Sequence, residues 1–158
     1  MFPLTMNFRK SFPLLVLFLV GVCASGQELR ETNGLLWLGD QPYTGKSLNR
    51  YENGAIKQEN SFKNGMKDGK VKVFYENGQL QELRQYRKNE MNGTWVTWNE
   101  QGVKTGEARY KNGLKHGKWL VWNDEGTLIY LMHYSSGNKS GTWKNYNDKG
   151  ELISTRIY

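Results

Sequence analysis

The sequence predicts an all-β protein, an elongated and twisted single-layer antiparallel β-meander of about five 24-residue hairpin repeats. Two series of glycines recur every 24 residues: Gly45, Gly69, Gly93, Gly117 and Gly141, and Gly54, Gly78, Gly102, Gly126 and Gly150. Aromatic residues keep the same interval at Phe62, Tyr86, Tyr110, Tyr134 and Tyr158. The segments between the glycines are rich in Trp, Tyr, Val and Thr, which favour strands, and show no helical periodicity of apolar residues.

Each unit contains two extended segments separated by two turns. In the unit that begins at Gly93, residues 94–98 form the first strand, 99–102 a tight turn, 103–110 the second strand and 111–117 a return loop. Asn-Gly pairs and Asp/Glu-x-Gly turns tolerate positive φ, as tight hairpin connections require. Because strands joined by short turns pair antiparallel, the units extend in one direction as a meander.

The first 26 residues differ from everything that follows. Arg9 and Lys10 precede the apolar run 11–22, which is too short to span a bilayer, and small residues come after it. This pattern predicts a signal peptide over residues 1–26, cleaved after Ala24 or Gly26, and therefore export to the periplasm, the cell envelope or the medium. The alternative is a buried N-terminal segment. Cys23 follows a bulky valine, a poor lipidation signal, so ordinary cleavage is favoured over a lipid anchor.

The charge balance gives little support to a nucleic-acid partner. The chain has 22 basic and 15 acidic residues and a net charge of +7, of which Arg9 and Lys10 belong to the predicted signal peptide. A mild positive charge on a protein of this length does not by itself require a polyanionic ligand. Predicted export and acidic turns also disfavour nucleic-acid binding.

Several stretches resemble a known family. "YKNGLKHGKWLVW" (110–122), "FKNGMKDGKVKVFYENGQL" (62–80) and "YSSGNKSGTWKNYNDKGEL" (134–152) resemble MORN repeats, in particular the bacterial variant that is often labelled "toxin-antitoxin system antitoxin". The segment 41–59 resembles a typical first repeat of such chains. The resemblance covers about 41–158 and implies an elongated antiparallel sheet with a binding or scaffolding role. It implies no catalytic residues, because the family pattern contains none.

The domain organisation follows from the register of the repeats. Residues 45–158 are predicted to form the MORN-type β-repeat domain. Residues 27–44 are predicted to form an N-terminal cap, because 31–40, with the apolar stretch 35–38, lies outside the 24-residue register. Terminal units of repeat arrays commonly differ from the internal ones, since they must close the end of the core.

Two aromatic columns are the first candidates for function. Residues three apart on a regular strand point to opposite faces, so the column Val71, Trp95, Trp119 and Trp143 and the column Phe74, Trp98, Trp122 and Tyr146 lie on different sides. The first column is expected to be structural. The second is either structural as well or a candidate binding face for a peptide, a glycan or a lipid headgroup.

The two sets of turns predict edges of opposite charge. The return loops supply a candidate basic edge, Lys67, Lys88, Lys111, Lys115 and Lys139, with further Lys and Arg nearby. The opposite turns carry Glu52, Glu76, Glu100, Asp124, Glu125 and Asp148. The basic edge could meet anionic lipid headgroups or an acidic partner. The alternative is that these charges only solvate the turns and keep the sheet soluble.

Enzymatic chemistry and metal binding have no support in the sequence. His116 occupies a loop position held by Asp, Asn or Ser in sister units, and His133 has no nearby Cys or His. The carboxylates occur singly at turns, and no nucleophile, phosphate-loop or zinc motif is present. The sequence therefore predicts a protein that is not an enzyme and that has no cofactor and no metal.

Two functions remain open. The first is an exported protein-binding or scaffolding module that acts through a sheet face or through the last strand, 152–158, which is expected to pair with another chain. The second is a peripheral membrane-lipid or glycan-binding module that uses basic loops and an aromatic ladder. A third, an intracellular antitoxin, conflicts with the predicted signal peptide, since an exported protein cannot readily neutralise a cytosolic toxin.

Overall fold

The computed structural model describes residues 28–158, so the predicted signal peptide and Cys23 lie outside the described residues. All regular structure in this part of the chain is β. The strands are β1 Leu29–Thr32, β2 Leu35–Leu38, β3 Gln41–Pro42, β4 Gly45–Arg50, β5 Ile56–Lys63, β6 Met66–Lys67, β7 Gly69–Phe74, β8 Leu80–Arg87, β9 Glu90–Met91, β10 Gly93–Trp98, β11 Lys104–Lys111, β12 Leu114–Lys115, β13 Gly117–Trp122, β14 Leu128–Ser135, β15 Asn138–Lys139, β16 Thr142–Tyr146 and β17 Leu152–Ile157. The predicted all-β class is confirmed.

The long strands form one antiparallel sheet in chain order. Its order is β17-β16-β14-β13-β11-β10-β8-β7-β5-β4, so each strand lies beside its neighbours in sequence. Each hairpin carries a register shift one pair before its turn; in β10–β11, Thr97 faces Gly106 while Trp98 faces Lys104. The extra residue bulges from the second strand, which bends the sheet and increases its twist. The predicted single-layer meander is confirmed.

The return loops contain structure that the sequence did not predict. Each carries a two-residue strand (β6, β9, β12 or β15) that pairs back onto the preceding long strand. Each return turn also donates a backbone hydrogen bond to the previous return segment: Asn89 to Lys67, Gly113 to Met91 and Gly137 to Lys115, at 2.8–2.9 Å. The return turns are therefore linked along the whole edge, which we call the return edge.

The N-terminal segment forms a separate three-stranded sheet, β1-β2-β3, against the start of the return edge. The Gly65 amide donates to the Tyr43 carbonyl and the Leu36 amide to the Gly65 carbonyl, both at 2.8 Å. A Cβ on Gly65 would come within 3.0 Å of the Leu36 carbonyl oxygen, so this contact needs a glycine. The first return turn thus donates its hydrogen bond to the Tyr43 carbonyl, although the predicted capping role itself stays a prediction.

The main sheet has no second layer among residues 28–158, and few of its side chains are fully buried. Val71 is its buried apolar residue, and Ser47 and Asn60 are its buried polar ones, while Leu36 is buried in the N-terminal sheet. Most strand residues are half-buried, because both faces of a single sheet meet solvent. The described residues include no helix long and apolar enough to cross a bilayer.

Candidate functional site

The main sheet has two faces, and strand alternation decides which side chains share each one. Trp95 and Trp98 lie three residues apart in β10, whose own backbone contains no bulge, so their side chains point to opposite faces. We call the face of Trp95, Trp119 and Trp143 the ladder face. The face of Phe74, Trp98, Trp122 and Tyr146 is the opposite face.

Six aromatic rings form a continuous row on the C-terminal half of the ladder face. Centroids of neighbouring rings lie 4.7–5.8 Å apart, with planes inclined at 36–60°. Aromatic pairs in tilted contact at these distances attract one another. Tryptophans from the first strand of each hairpin alternate with tyrosines from the second, in the order Trp95, Tyr110, Trp119, Tyr134, Trp143 and Tyr158. We call this row the aromatic ladder.

Each tyrosine of the aromatic ladder lies across from a glycine of its partner strand. Tyr110 pairs with Gly93 and Tyr134 with Gly117. Both glycines have positive φ, +106° at Gly93 and +71° at Gly117, and a Cβ added there would meet Gln85 or Arg109 and not the tyrosine ring. The two series keep the same interval in the sequence because their members pair in the hairpins, while the backbone conformation of these positions favours glycine.

Three of the five residues predicted for the basic edge lie against rings of the ladder face. The Lys115 ammonium is 4.4 Å from the ring centroid of Trp119 and 4.9 Å from that of Tyr134. The Lys139 ammonium lies 4.8 Å from the centroids of both Trp143 and Tyr158. Lys67 is more loosely placed, 5.9 Å from the ring centroid of Tyr86. These are cation–π distances, so the rings hold the lysines in place.

The other two predicted basic-edge residues are not brought into this arrangement. Lys88 lies in a return turn with φ of 50°, and its amide donates to the Asp68 carboxylate at 3.3 Å. Lys111 is the exposed last residue of β11. At the return-segment position of Lys115 and Lys139, the unit between Lys67 and Lys115 has Met91. The structure thus separates lysines on the rings from lysines at the turns.

The predicted binding face, Phe74, Trp98, Trp122 and Tyr146, forms a half-buried column on the opposite face. Its members pair with Leu80, Lys104, Leu128 and Leu152 respectively. Lys104 lies 4.4 Å from the ring centroid of Trp122 and bonds the Glu107 carboxylate at 2.8 Å. None of the ring–ring contacts found in the described chain includes any of these four residues. The predicted column is therefore a row of separate aromatic side chains.

The acidic turns form the second long edge, which we call the hairpin edge. In the first two units a tyrosine bridges successive hairpins: the Tyr51 hydroxyl donates to the Phe74 carbonyl at 2.7 Å, and that of Tyr75 to the Trp98 carbonyl at 2.9 Å. Asparagine replaces tyrosine at the next equivalent position, and Asn99 bonds Asp124 instead. A cleft of about 570 Å³ lies here, lined among others by Thr105, Val121, Asp124, Glu125 and Asp148. Tyrosine side chains thus bridge successive hairpins near the N-terminal end of this edge, and a cleft lies further along it.

Two ionisable groups of the sheet have shifted pKa values. A hydrogen bond from Lys46 lowers the pKa of Glu59, against the opposing effect of burial, and the charge of Lys72 lowers it further. The Glu59 carboxylate lies 3.0 Å from Lys46 and 3.9 Å from Lys72. Burial raises the pKa of Tyr110, with smaller contributions from Tyr86 and Tyr134. Tyr110 therefore keeps its proton and can donate a hydrogen bond from the aromatic ladder.

The histidines lie in structural positions, as their repeat context indicates. The His116 amide donates to the Arg109 carbonyl in the return segment, and His133 Nδ1 lies 3.1 Å from the Thr142 carbonyl oxygen. Across residues 28–158, no group of three or more His, Cys, Asp or Glu side chains is arranged to hold a metal ion.

The outermost strand of the described sheet is β17, which pairs only with β16 among these residues. All six of its residues are exposed, with Ile153 at 61% and Ile157 at 79%. This is the strand for which the sequence predicts pairing with another chain.

Sequence reasoning missed the aromatic ladder and its lysines as a unit. The tyrosine series was evident as a repeat marker, but its contact with the tryptophans depends on the hairpin register. The signal was present: Lys115 follows Tyr110 by five residues and precedes Trp119 by four, and Lys139 repeats both intervals.

Comparison with known proteins identifies the repeat. A family model described as a MORN repeat variant matches residues 43–64, 67–88 and 115–136. The matches begin at positions that differ by multiples of the 24-residue unit, and so agree in phase with the hairpins of the structure. No curated protein matches the chain. On these three matches and the repeating hairpins of the sheet, the chain belongs to the MORN-repeat proteins.

Proposed function

We propose that the chain is an exported, non-enzymatic repeat protein that binds another protein and acts as a scaffolding module. One observation carries this proposal: no second layer covers either face of the main sheet within residues 28–158, while large aromatic side chains on both faces stay half-buried. Contiguous apolar surface that stays uncovered is typical of interaction sites. The binding role of MORN repeats supports the same function.

The opposite face is the leading candidate for the protein interface. Phe74, Trp98, Trp122 and Tyr146 recur once per hairpin, and large aromatic residues dominate the binding energy of protein interfaces. Their rings are not engaged with one another, in contrast to those of the aromatic ladder. Contacts with a partner would therefore cost no ring–ring contacts within the sheet.

The test is affinity capture from an envelope extract of the source organism. The variant W98T/W122T/Y146T removes the column and keeps residues suited to strands. Its control is Y130T, which removes a 45% exposed tyrosine from the other face. We expect one protein to be captured by the parent and by Y130T, to be lost with the triple variant, and to bind again when purified. Equal capture by a folded triple variant would contradict the use of this face.

A peripheral lipid- or glycan-binding module is the second candidate. The observation that favours it is the row of cations near the return edge, where Lys115 and Lys139 have no carboxylate partner among the described residues. Binding to anionic vesicles through these lysines should weaken steeply as salt rises, because exposed charges are screened. An interface anchored by aromatic residues should weaken much less.

The outer side of β17 is a further candidate contact, with another protein or with a second copy of the chain. Its exposed Ile153 and Ile157 and its unpaired backbone groups are suited to strand addition. The variant I153K/I157K places charges on the strand, which opposes such pairing. If β17 mediates self-association, this variant has a smaller solution mass than the parent at the same concentration. An unchanged mass would exclude this role in self-association.

A further inference from the structure

The aromatic ladder holds cations that no acidic group of the described chain neutralises. Lys115 and Lys139 each lie between a tryptophan and a tyrosine ring, and the ion pairs found in residues 28–158 involve neither of them. An ammonium group has three N–H donors, and contact with the ring faces leaves donors for a ligand. Because the rings already restrict the lysine side chains, an anion would bind with less loss of side-chain entropy.

The spacing of these cations is set by the repeat. Lys115 and Lys139 are equivalent residues of successive units, and each unit adds two long strands to the sheet. Neighbouring strands are about 4.8 Å apart, so equivalent residues recur about every 9.6 Å across the sheet. Lys67 continues the series, with Met91 in the place between it and Lys115. The cations thus follow the long axis of the ladder face in a line.

The interval between equivalent lysines matches the length of one turn of a polyproline II helix. A polyproline II helix has three residues per turn and a rise of about 3.1 Å per residue, so its turn is about 9.3 Å long. Every third side chain of such a helix points to the same side. A β-strand has a similar length per three residues, but its side chains alternate and every third one points away. Carboxylates at every third position of a polyproline II segment would therefore meet successive lysines of the ladder.

The chemistry of the ladder favours a peptide over a glycan. A sugar stacks on a free ring face, whereas the faces here are covered by neighbouring rings and by lysines. A polyproline II backbone makes no internal hydrogen bonds and offers its carbonyl groups to donors. The Tyr110 and Tyr134 hydroxyls have no hydrogen-bond partner among the described residues and can supply such donors. Both features suit a peptide lying along the edges of the rings.

We infer that the ladder face binds a linear acidic peptide in the polyproline II conformation, with a carboxylate at every third residue, on Lys115 and Lys139. This inference rests on the proposed protein-binding function and names the chemistry of the partner. It places that partner on the ladder face, separate from the column on the opposite face. It also predicts that the spacing of the carboxylates matters as well as their number.

The test compares two peptides of equal composition on the full-length protein, by calorimetry at low salt. The probe is four copies of Pro-Pro-Glu. In the control peptide the glutamates are spaced alternately two and four residues apart, which spreads them around the helix. The protein variant is K115Q/K139Q, and its matched control is K118Q/K144Q. The control removes two exposed lysines of the same hairpins, which point to the opposite face and also lack ion pairs.

We expect the periodic peptide to bind about tenfold more tightly than the rearranged one, which two charge pairs can supply. K115Q/K139Q should remove this preference and K118Q/K144Q should keep it. Equal affinity for both peptides, no binding of either, or equal losses in the two variants would overturn the inference. A vesicle of anionic lipid that binds through Lys115 and Lys139, without any peptide preference, would overturn it too. If neither peptide binds but a protein is captured from the envelope extract through the opposite face, only this inference fails and the proposed function stands.

Discussion

The substitution Gly93→Ala tests the close approach of Gly93 to Gln85 of the neighbouring strand. Gly93 has φ of +106°, a conformation that a residue with a Cβ rarely adopts. An added Cβ would also overlap the Gln85 Oε1 atom. That oxygen accepts a hydrogen bond of 2.8 Å from the Thr94 amide, so Gln85 cannot move without losing it. The substitution therefore combines backbone strain with the loss of a cross-strand hydrogen bond.

The two costs can be estimated separately. A strained backbone conformation costs about 1–3 kcal/mol, and the lost hydrogen bond about 0.5–1.5 kcal/mol. We expect Gly93→Ala to lower the free energy of unfolding by about 2–4 kcal/mol, the combination of these two terms. The control is Gly102→Ala, where φ is +78° and the nearest neighbouring atom is 3.8 Å from the added Cβ. Its cost should be confined to the backbone, about 1–2 kcal/mol.

Urea unfolding, followed by tryptophan fluorescence and by circular dichroism, measures these differences. A cycle with Gln85→Ala separates the two terms, because in that background Gly93→Ala no longer displaces a side-chain amide. The cost of Gly93→Ala should then fall by about the value of the hydrogen bond, 0.5–1.5 kcal/mol. If Gly93→Ala costs no more than Gly102→Ala, or costs the same in both backgrounds, the assignment of close contact at Gly93 is wrong.

Three further predictions concern side-chain contacts within the main sheet. Tyr75→Phe removes the hydroxyl that reaches the Trp98 carbonyl and should cost about 1 kcal/mol in denaturant unfolding; a cost near zero would show that the bridge does not contribute. The pKa of Glu59 is lowered in the folded state, so its stabilising effect is present above its unfolded pKa and is lost as the pH falls through the folded pKa. Glu59→Gln should therefore destabilise the protein at pH 7 and have little effect at strongly acidic pH, and a pH-independent difference would refute this. K115Q/K139Q should lower stability by about 0.5–1 kcal/mol per lysine through lost cation–π contacts, whereas K118Q/K144Q should change it by less than about 0.5 kcal/mol in the same unfolding assay.

The structure of the repeat unit could be predicted from the sequence because every signal that defines the unit is local. Glycines at fixed intervals mark turns and crowded strand positions, and strand-forming residues fill the segments between them. The hairpins, their order and the all-β class follow from these signals. The opposite orientation of Trp95 and Trp98 also follows, since alternation along a strand needs only sequence distance.

The contacts between rings of the aromatic ladder could not be predicted from local sequence signals. The contact of Trp119 with Tyr110 and Tyr134 depends on the register between strands, including the shift that each hairpin contains. The short return strands are equally non-local, because their position is fixed by hydrogen bonds to the neighbouring unit. The docking of β2 on Gly65 joins a segment outside the repeat to one within it, and no periodicity predicts that contact.

The two long edges of the sheet differ in how they connect successive units, and this difference bears on where function can evolve. Backbone hydrogen bonds join all the return turns, from Tyr43–Gly65 to Lys115–Gly137, and at positions 67, 91 and 115 they use a carbonyl group that every residue type has. Positions 67, 91, 115 and 139 of the return edge can therefore hold lysine or methionine on the same scaffold. On the hairpin edge the units are joined through side chains, and Asn99 replaces the bond that Tyr75 makes to the next strand with bonds to Asp124 of the next turn, beside a cleft. Binding chemistry on this fold can thus be added at these return-edge positions without loss of the backbone hydrogen bonds between units, whereas at the hairpin edge it replaces side-chain contacts between units.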